Sequence, residues 1–358
     1  MSFVPHYVSR ITVAVSSSLA LAVAFLGLSQ FDLPVVRYIR SVTAQIPSQK
    51  LIMPWMAFTS DAGNWIGEGT HLVVFSLILA VAGWVFSQST VMKSGIDTLL
   101  AHGLAALVVN GLKHLIGRPR PKFAHSGEWQ IAPSFVSGFD SFPSGHTAVS
   151  FAVATVLAKR FPLIGPLCLG IAVFVMFSRI FRGSHFPTDV MGGAVFGALS
   201  GTIAAAPLKQ WRASLLEGLL HTAIGASAGL ALLWTVSRPA EEGTPGILLI
   251  ALGLASTMSG LWVRRVEWVK RQASDAGLPA KASMILIAYG LASMTTSFYV
   301  VAAAGFSCLA YWVNGALVSV EAKPCPETWP AVKEGLLLAM VLLSLLILYA
   351  GRGIMSFR

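Results

Sequence analysis

Three short stretches of this chain gather histidine, aspartate, lysine, arginine and serine: KHLIGRPRP from Lys113, PSGH from Pro143 and SRIFRGSHFPTD from Ser178. Charged groups inside a bilayer are costly, and here nearly everything around them is apolar, so such a set needs a task or a water-facing site. The side chains suit phosphoryl transfer. That reaction needs directed donors for the phosphate oxygens, a nucleophile in line with the leaving oxygen, and an acid to protonate it.

His185 follows Gly183 and precedes Pro187, which marks a turn, and Asp189 comes four residues later. A helix starting near 186 puts Asp189 in its first turn, within reach of the His185 ring. A carboxylate on one ring nitrogen fixes the tautomer and leaves the other free to attack. His185 is therefore the expected nucleophile, forming a phosphohistidine, with Asp189 as its orienter. Ser144 and Gly145 follow Pro143 at an expected helix start, where free N–H groups and the helix dipole favour an anion. His146 is placed to protonate the leaving group and then to activate water. Lys113, Arg120 and Arg179 complete a phosphate clamp, arginine by forked contacts and lysine as a point charge. Arg118, Lys122 and Arg182 read as ordinary interface charges or auxiliary headgroup contacts. The residues contain no metal-ligand spacing, so the expected mechanism uses neither metal nor cofactor.

The elements that must carry these groups are membrane helices. The 358 residues are 55% hydrophobic and 11% charged, with mean hydropathy +0.72. Soluble domains carry about twice that charged fraction. Apolar runs near the roughly 20 residues that span a bilayer recur along the chain. Spans are expected at about 11–30, 66–87, 97–116, from Gly145 to about 158, 162–180 and 188–206. Leu33, Val36, Ile39 and Val42 suggest an amphipathic helix lying at the interface between the first two. Further spans are expected at about 213–234, 245–263 and 333–350, with one or two more in 282–319. The expectation is ten spans. The first 30 residues read as a retained helix, because the apolar run lacks a small-residue cleavage site.

The net charge of +10 does not point to nucleic acid. Arg10, Lys93, Lys159, Arg160, Lys209, Arg212 and the basic segment 264–271 alternate across the spans as cytoplasmic loops do. Lys113, Arg118, Arg120, Lys122, Arg179 and Arg182 then fall on the opposite side, which implies a site facing out of the cytoplasm. An anionic lipid surface is the more economical partner for these charges.

Taken together, Lys113-(x6)-Arg120-Pro121, Pro143-Ser144-Gly145-His146 and Ser178-Arg179-(x5)-His185-(x3)-Asp189 resemble the signature of the type 2 phosphatidic acid phosphatase (PAP2) superfamily, without a substitution. The resemblance implies an all-α polytopic fold with a six-helix core, here extended by about four further membrane helices. It divides the chain into a catalytic part, 1–208, and an added membrane part, 209–358. It implies phosphohistidine chemistry at His185 with Asp189 and His146, and phosphate binding by Lys113, Arg120, Ser144, Gly145 and Arg179. It further implies a metal-independent phosphatase of the cell inner membrane, acting on a lipid such as phosphatidate, phosphatidylglycerophosphate, undecaprenyl pyrophosphate or lipid A. A lipid phosphotransferase with the same intermediate is the first alternative. A non-catalytic phospholipid-binding transporter or scaffold is the second.

Overall fold

The computed structural model describes residues 6–44, 54–123, 132–237, 245–273 and 280–321. Among these the chain is all-α. In order come α1 (His6–Ser29), α2 (Asp32–Ala44), α3 (Pro54–Ile66), α4 (Gly69–Val85), α5 (Ser89–Ile116) and α6 (Gly145–Arg160). They are followed by α7 (Gly165–Phe181), α8 (Pro187–Ala204), α9 (Trp211–Ser237), α10 (Pro245–Ala273), α11 (Ala280–Met294) and α12 (Phe298–Glu321). The expected span at 333–350 lies outside the described residues.

Among the described residues, five helical stretches are long and apolar enough to cross a bilayer: Ser9–Ser41, Ser89–Ile116, Trp211–Thr235, Gly246–Val266 and Phe298–Gly315. Ala57–Ile66 and Gly69–Val85 make a sixth if the pair, bent by 50°, is one span. The chain is thus a multi-span membrane protein. Three helices that carry motif residues, α6, α7 and α8, are not among these stretches. Of these, α6 and α8 are short, and their facing sides pack through small residues.

Several elements differ from the sequence reading. The second expected span, 66–87, is α4, and a separate helix, α3, precedes it. The third begins at Ser89 rather than near 97, because Lys93 and Asp97 are helical. The region 282–319 holds two helices, α11 and α12, separated by a turn with Thr296 at φ 61°. The expected interfacial helix exists as α2, but its apolar side meets protein. Val36 and Ile39 are buried, and Ile39 packs with Ile180 and Val190.

The described chain forms two compact units, Leu28–Gly218 and Met1–Gly27 with Leu219–Arg358. In the second of these units, Gly27 lies against Leu230 and Tyr299, and the Ser227 hydroxyl meets that of Ser307 at 2.8 Å. Helices α10 and α11 pack closely through Gly253, Gly260 and Gly290.

In the unit Leu28–Gly218, α6 is the centre, packed by α5, α7 and α8. Ala101, Ala105 and Val109 of α5 close on Ala148, Val149, Ala152 and Val156 of α6. Lipid cannot drive apolar helices together, so close backbone approach does it instead. Gly193, Gly197 and Gly201 form a stripe on α8 that meets the α6 backbone. A Cβ on these glycines would sit 2.5 Å from Ser144 O, 2.2 Å from Ala148 O and 2.5 Å from Ala152 O.

This pairing fixes which ends meet. The Arg160 guanidinium, in the last turn of α6, pairs with Asp97 near the start of α5 and donates to Ala205 O just past α8 at 3.1 Å. At the other end, Ser144 N–H donates to Asp189 O at 2.9 Å. The end of α5, the start of α6, the end of α7 and the start of α8 therefore share one end of the bundle.

Gly197→Ala is expected to destabilise the protein by about 1–3 kcal/mol through overpacking against Ala148. Gly103→Ala on α5, where a Cβ meets nothing within 4 Å, should be neutral or stabilising, since alanine favours a helix interior. Thermal midpoints of the two variants in detergent check the contrast.

Candidate active site

The α5 helix ends at Gly117, whose left-handed φ of 59° turns the chain into Arg118-Pro119-Arg120-Pro121. A side chain there would strike Ala132 O at 1.8 Å, so the turn requires glycine. This segment runs alongside 138–141. Arg120 N–H donates to Gly138 O at 2.8 Å, and Ser141 N–H donates to Arg118 O at 3.0 Å. The pairing lays the loop before Pro143 against the arginine turn and brings Asp140 and Ser141 into the site.

His185 sits in the turn between α7 and α8 and is 2% exposed. Its Nδ1 lies 2.8 Å from Ser141 O. A carbonyl oxygen can only accept, so Nδ1 carries the hydrogen and the neutral ring keeps its lone pair on Nε2. Asp189 Oδ2 is 3.8 Å from the same Nδ1, beyond a hydrogen bond. The direct orienter of the ring is thus the Ser141 carbonyl rather than the Asp189 carboxylate expected from spacing. Asp189 acts one step further out. Its Oδ2 accepts from the Ser141 hydroxyl at 2.5 Å and from Phe186 N–H at 2.8 Å, which also caps α8. Burial pushes the His185 imidazole below the usual histidine value, and the nearby Asp189 carboxylate offsets only part of that.

Asp189 Oδ1 accepts from Arg118 Nη1 at 2.6 Å. The same guanidinium donates to Thr188 Oγ1 at 2.7 Å and, through Nη2, to Asp32 Oδ2 at 2.8 Å. Asp32 also accepts from Thr188 N–H at 3.0 Å and from its hydroxyl at 2.6 Å. Arg118 further lies over the Phe186 ring at 4.2 Å. It is 1% exposed, as is Asp32. Arg118 is therefore no interface charge: it is the buried tie between α2, the arginine turn and the start of α8.

The expected clamp residues gather at the same end. Lys113 Nζ lies about the first turn of α6, 3.6 Å from where a Gly145 Cβ would be. Arg120 makes a forked pair with Asp140, Nε to Oδ1 at 2.8 Å and Nη2 to Oδ2 at 2.7 Å. Lys113 Nζ is 3.8 Å from the same carboxylate. Arg179 is 5% exposed and donates to Asn64 Oδ1 of α3 at 2.5 Å, while its buried Nε makes no hydrogen bond. Ser144 caps the start of α6, and its buried Oγ accepts from Thr147 Oγ1 at 3.0 Å. His146 opens α6 half-buried, within the field of Arg179, His185, Lys113 and Arg120. Arg182 pairs with Asp61 at 3.4 Å in an exposed position outside this group. Among the described residues, no cluster of three or more His, Cys, Asp or Glu could hold a metal ion.

The sequence reading missed Asp32, Asn64, Asp140 and Ser141 and misplaced Arg118. Asp32 carried a usable signal. An acidic residue inside an otherwise apolar stretch needs a partner.

Comparison with known proteins points the same way. The family model described as the PAP2 superfamily matches residues 94–212. The chain is 38% identical over 96 residues to a lipid A 1-phosphatase of Rhizobium johnstonii, covering 26% of this chain and 39% of that protein. It is 34% identical over 135 residues to the undecaprenyl-diphosphatase BcrC of Bacillus subtilis, covering 36% of this chain and 65% of that one. It is 32% identical over 157 residues to phosphatidylglycerophosphatase B of the same organism, covering 41% of this chain and 72% of that one. The chain thus spans only about two fifths of the lipid A phosphatase. No solved structure matches it.

Removing Arg118 would leave two buried carboxylates unpaired. Arg118→Met is expected to cost about 3–5 kcal/mol, the usual penalty for breaking a buried ion pair from one side. Unfolding of the detergent-solubilised variant measures it, and a loss below about 1 kcal/mol would match a surface charge instead.

Proposed function

Because the chain belongs to the PAP2 superfamily, we propose that it is a metal-independent membrane lipid phosphatase working through a phosphohistidine on His185. The observation that carries this reading is the commitment of His185 Nδ1 to the Ser141 carbonyl. It leaves Nε2 as the nucleophilic atom of a neutral ring, in a site that also holds three cations.

In the first step His185 Nε2 attacks phosphorus, the bond from phosphorus to the lipid-side oxygen breaks, and His146 gives that oxygen its proton. In the second, water attacks the phosphohistidine while His146 takes the water proton. The phosphorus–nitrogen bond breaks, and inorganic phosphate and neutral His185 result. Lys113, Arg120, Arg179, the Ser144 hydroxyl and the first N–H groups of α6 from Gly145 onward neutralise the equatorial oxygens. Asp189 positions His185 through Ser141 and α8, and its charge stabilises the ring as positive charge develops.

The substrate class proposed is a phosphate monoester or pyrophosphate on a membrane lipid, in keeping with the names of the three relatives. The phosphate enters from the extracytoplasmic face of the inner membrane, and the tail remains among the helices. The charge alternation along the chain and the shared bundle end support this orientation. A six-span catalytic core within 1–208 and four further spans within 209–358 complete the reading.

Purified protein is expected to release inorganic phosphate from one or more of phosphatidate, phosphatidylglycerophosphate, undecaprenyl pyrophosphate and lipid A, with EDTA present. His185→Ala should lower that release by at least about 1000-fold, as loss of a covalent nucleophile does. Since burial lowers the His185 pKa, the ring stays neutral at pH values where an ordinary histidine is protonated. The acid limb of kcat/KM should therefore fall below about pH 6.5. Normal turnover in His185→Ala, or EDTA-sensitive release, would contradict the assignment.

A further inference from the structure

The forked face of Arg120 is already engaged by a carboxylate. Asp140 takes Nε and Nη2 with its two oxygens at 2.8 and 2.7 Å and stands 3.8 Å from Lys113 Nζ. The parallel two-bond geometry is the one a guanidinium gives to phosphate as readily as to carboxylate. Two of the three clamp cations thus meet the same small anion. A phosphate that takes both forked donors of Arg120 has to replace Asp140 there.

The carboxylate is built into place. Its neighbours Gly138 and Ser141 are hydrogen-bonded to Arg120 and Arg118 through the backbone. The side chain is 29% exposed, so it has an open side toward which it can move. Burial pushes the Asp140 carboxyl up, but the hydrogen bond and charge of Arg120 and the charge of Lys113 outweigh it and hold it below the usual carboxylate range. It is an anion at neutral pH.

We propose that Asp140 is a resident counter-anion of the phosphate clamp, competing with phosphate for Arg120 and Lys113 and thereby weakening the hold on phosphate. The proposal rests on the reading of these cations as the phosphate-binding residues. Asp140 keeps Arg120 extended toward the site, offsets part of the repulsion among three cations, and returns to the guanidinium as phosphate leaves. It is an affinity-setting residue and takes no part in bond making. Its position, immediately before the Ser141 that holds His185, couples the clamp to the nucleophile only through the backbone.

The test is the binding of inorganic phosphate to the full-length, detergent-solubilised protein by isothermal titration calorimetry, run beside lipid turnover. Asp140→Asn keeps the shape and removes the charge. It is expected to bind phosphate about five- to tenfold more tightly than wild type, a modest factor because the pair is partly exposed. Asp140→Glu, which keeps a carboxylate, should stay within about twofold of wild type. If Asp140→Asn does not fold, Asp140→Ser carries the same expectation. Unchanged or weaker phosphate binding in the folded neutral variant overturns the proposal and makes Asp140 a simple support for Arg120. Tighter phosphate binding with no lipid turnover in wild type would leave the clamp inference standing and remove the catalytic reading. Lipid turnover in wild type with unchanged phosphate binding in the variant would do the reverse.

Discussion

The buried guanidinium of Arg118 is the interaction on which the rest of the site depends. A charge withdrawn from water costs several kcal/mol unless it is paired and fully hydrogen-bonded. Arg118 meets that demand with Asp32 on α2, Asp189 and Thr188 on α8, and the Phe186 ring. Its partners come from two distant parts of the chain, α2 and the start of α8, so satisfying one side chain fixes the relative positions of three elements. From Asp189 the order passes to Ser141 by the hydroxyl, and from Ser141 to His185 by the carbonyl. His185, the proposed nucleophile, is held by a chain of bonds that begins at Arg118.

The membrane sets the second constraint. Since lipid gives apolar helices no reason to associate, α6 and α8 use small residues to bring their backbones together. That close approach is also what places the start of α6 against Asp189 O. Packing and chemistry share the same residues here. Gly193, which admits the α6 backbone at Ser144, lies one turn from Asp189. The opposite end of the same bundle is tied by Arg160 to Asp97 and Ala205 O, so both ends of α6 are anchored by polar groups while its length is buried among alanine and valine.

Much of this was legible in the sequence. The three motifs name Lys113, Arg120, Ser144, Gly145, His146, Arg179, His185 and Asp189, and all lie at one bundle end. They were readable because local signals mark their positions: Gly117 and Pro119 stop α5, Pro143 starts α6, and Pro187 starts α8. Illegible residues were those whose meaning depends on a distant partner. Asp32 meets Arg118 across 86 positions, and Asn64 meets Arg179 across 115. Spacing also misled at His185. Four residues to Asp189 suggested a direct contact, but the helix cap turns that carboxylate toward Phe186 N–H, and the loop supplies the Ser141 carbonyl instead. Helix α5 begins at Ser89, not near 97, because Lys93, taken as a cytoplasmic loop charge, is helical. Asp97 is in fact buried against Arg160, a pairing that hydropathy cannot register.

The central claim is that His185 Nε2 becomes covalently bonded to the phosphoryl group. The most direct measurement is a rapid quench of wild-type protein turning over a radiolabelled lipid phosphate, followed by peptide mapping at alkaline pH, where phosphohistidine survives. The account predicts label on the peptide carrying His185, lost on acid treatment and absent from His185→Ala. Label on His146, or turnover without any covalent label, would contradict it.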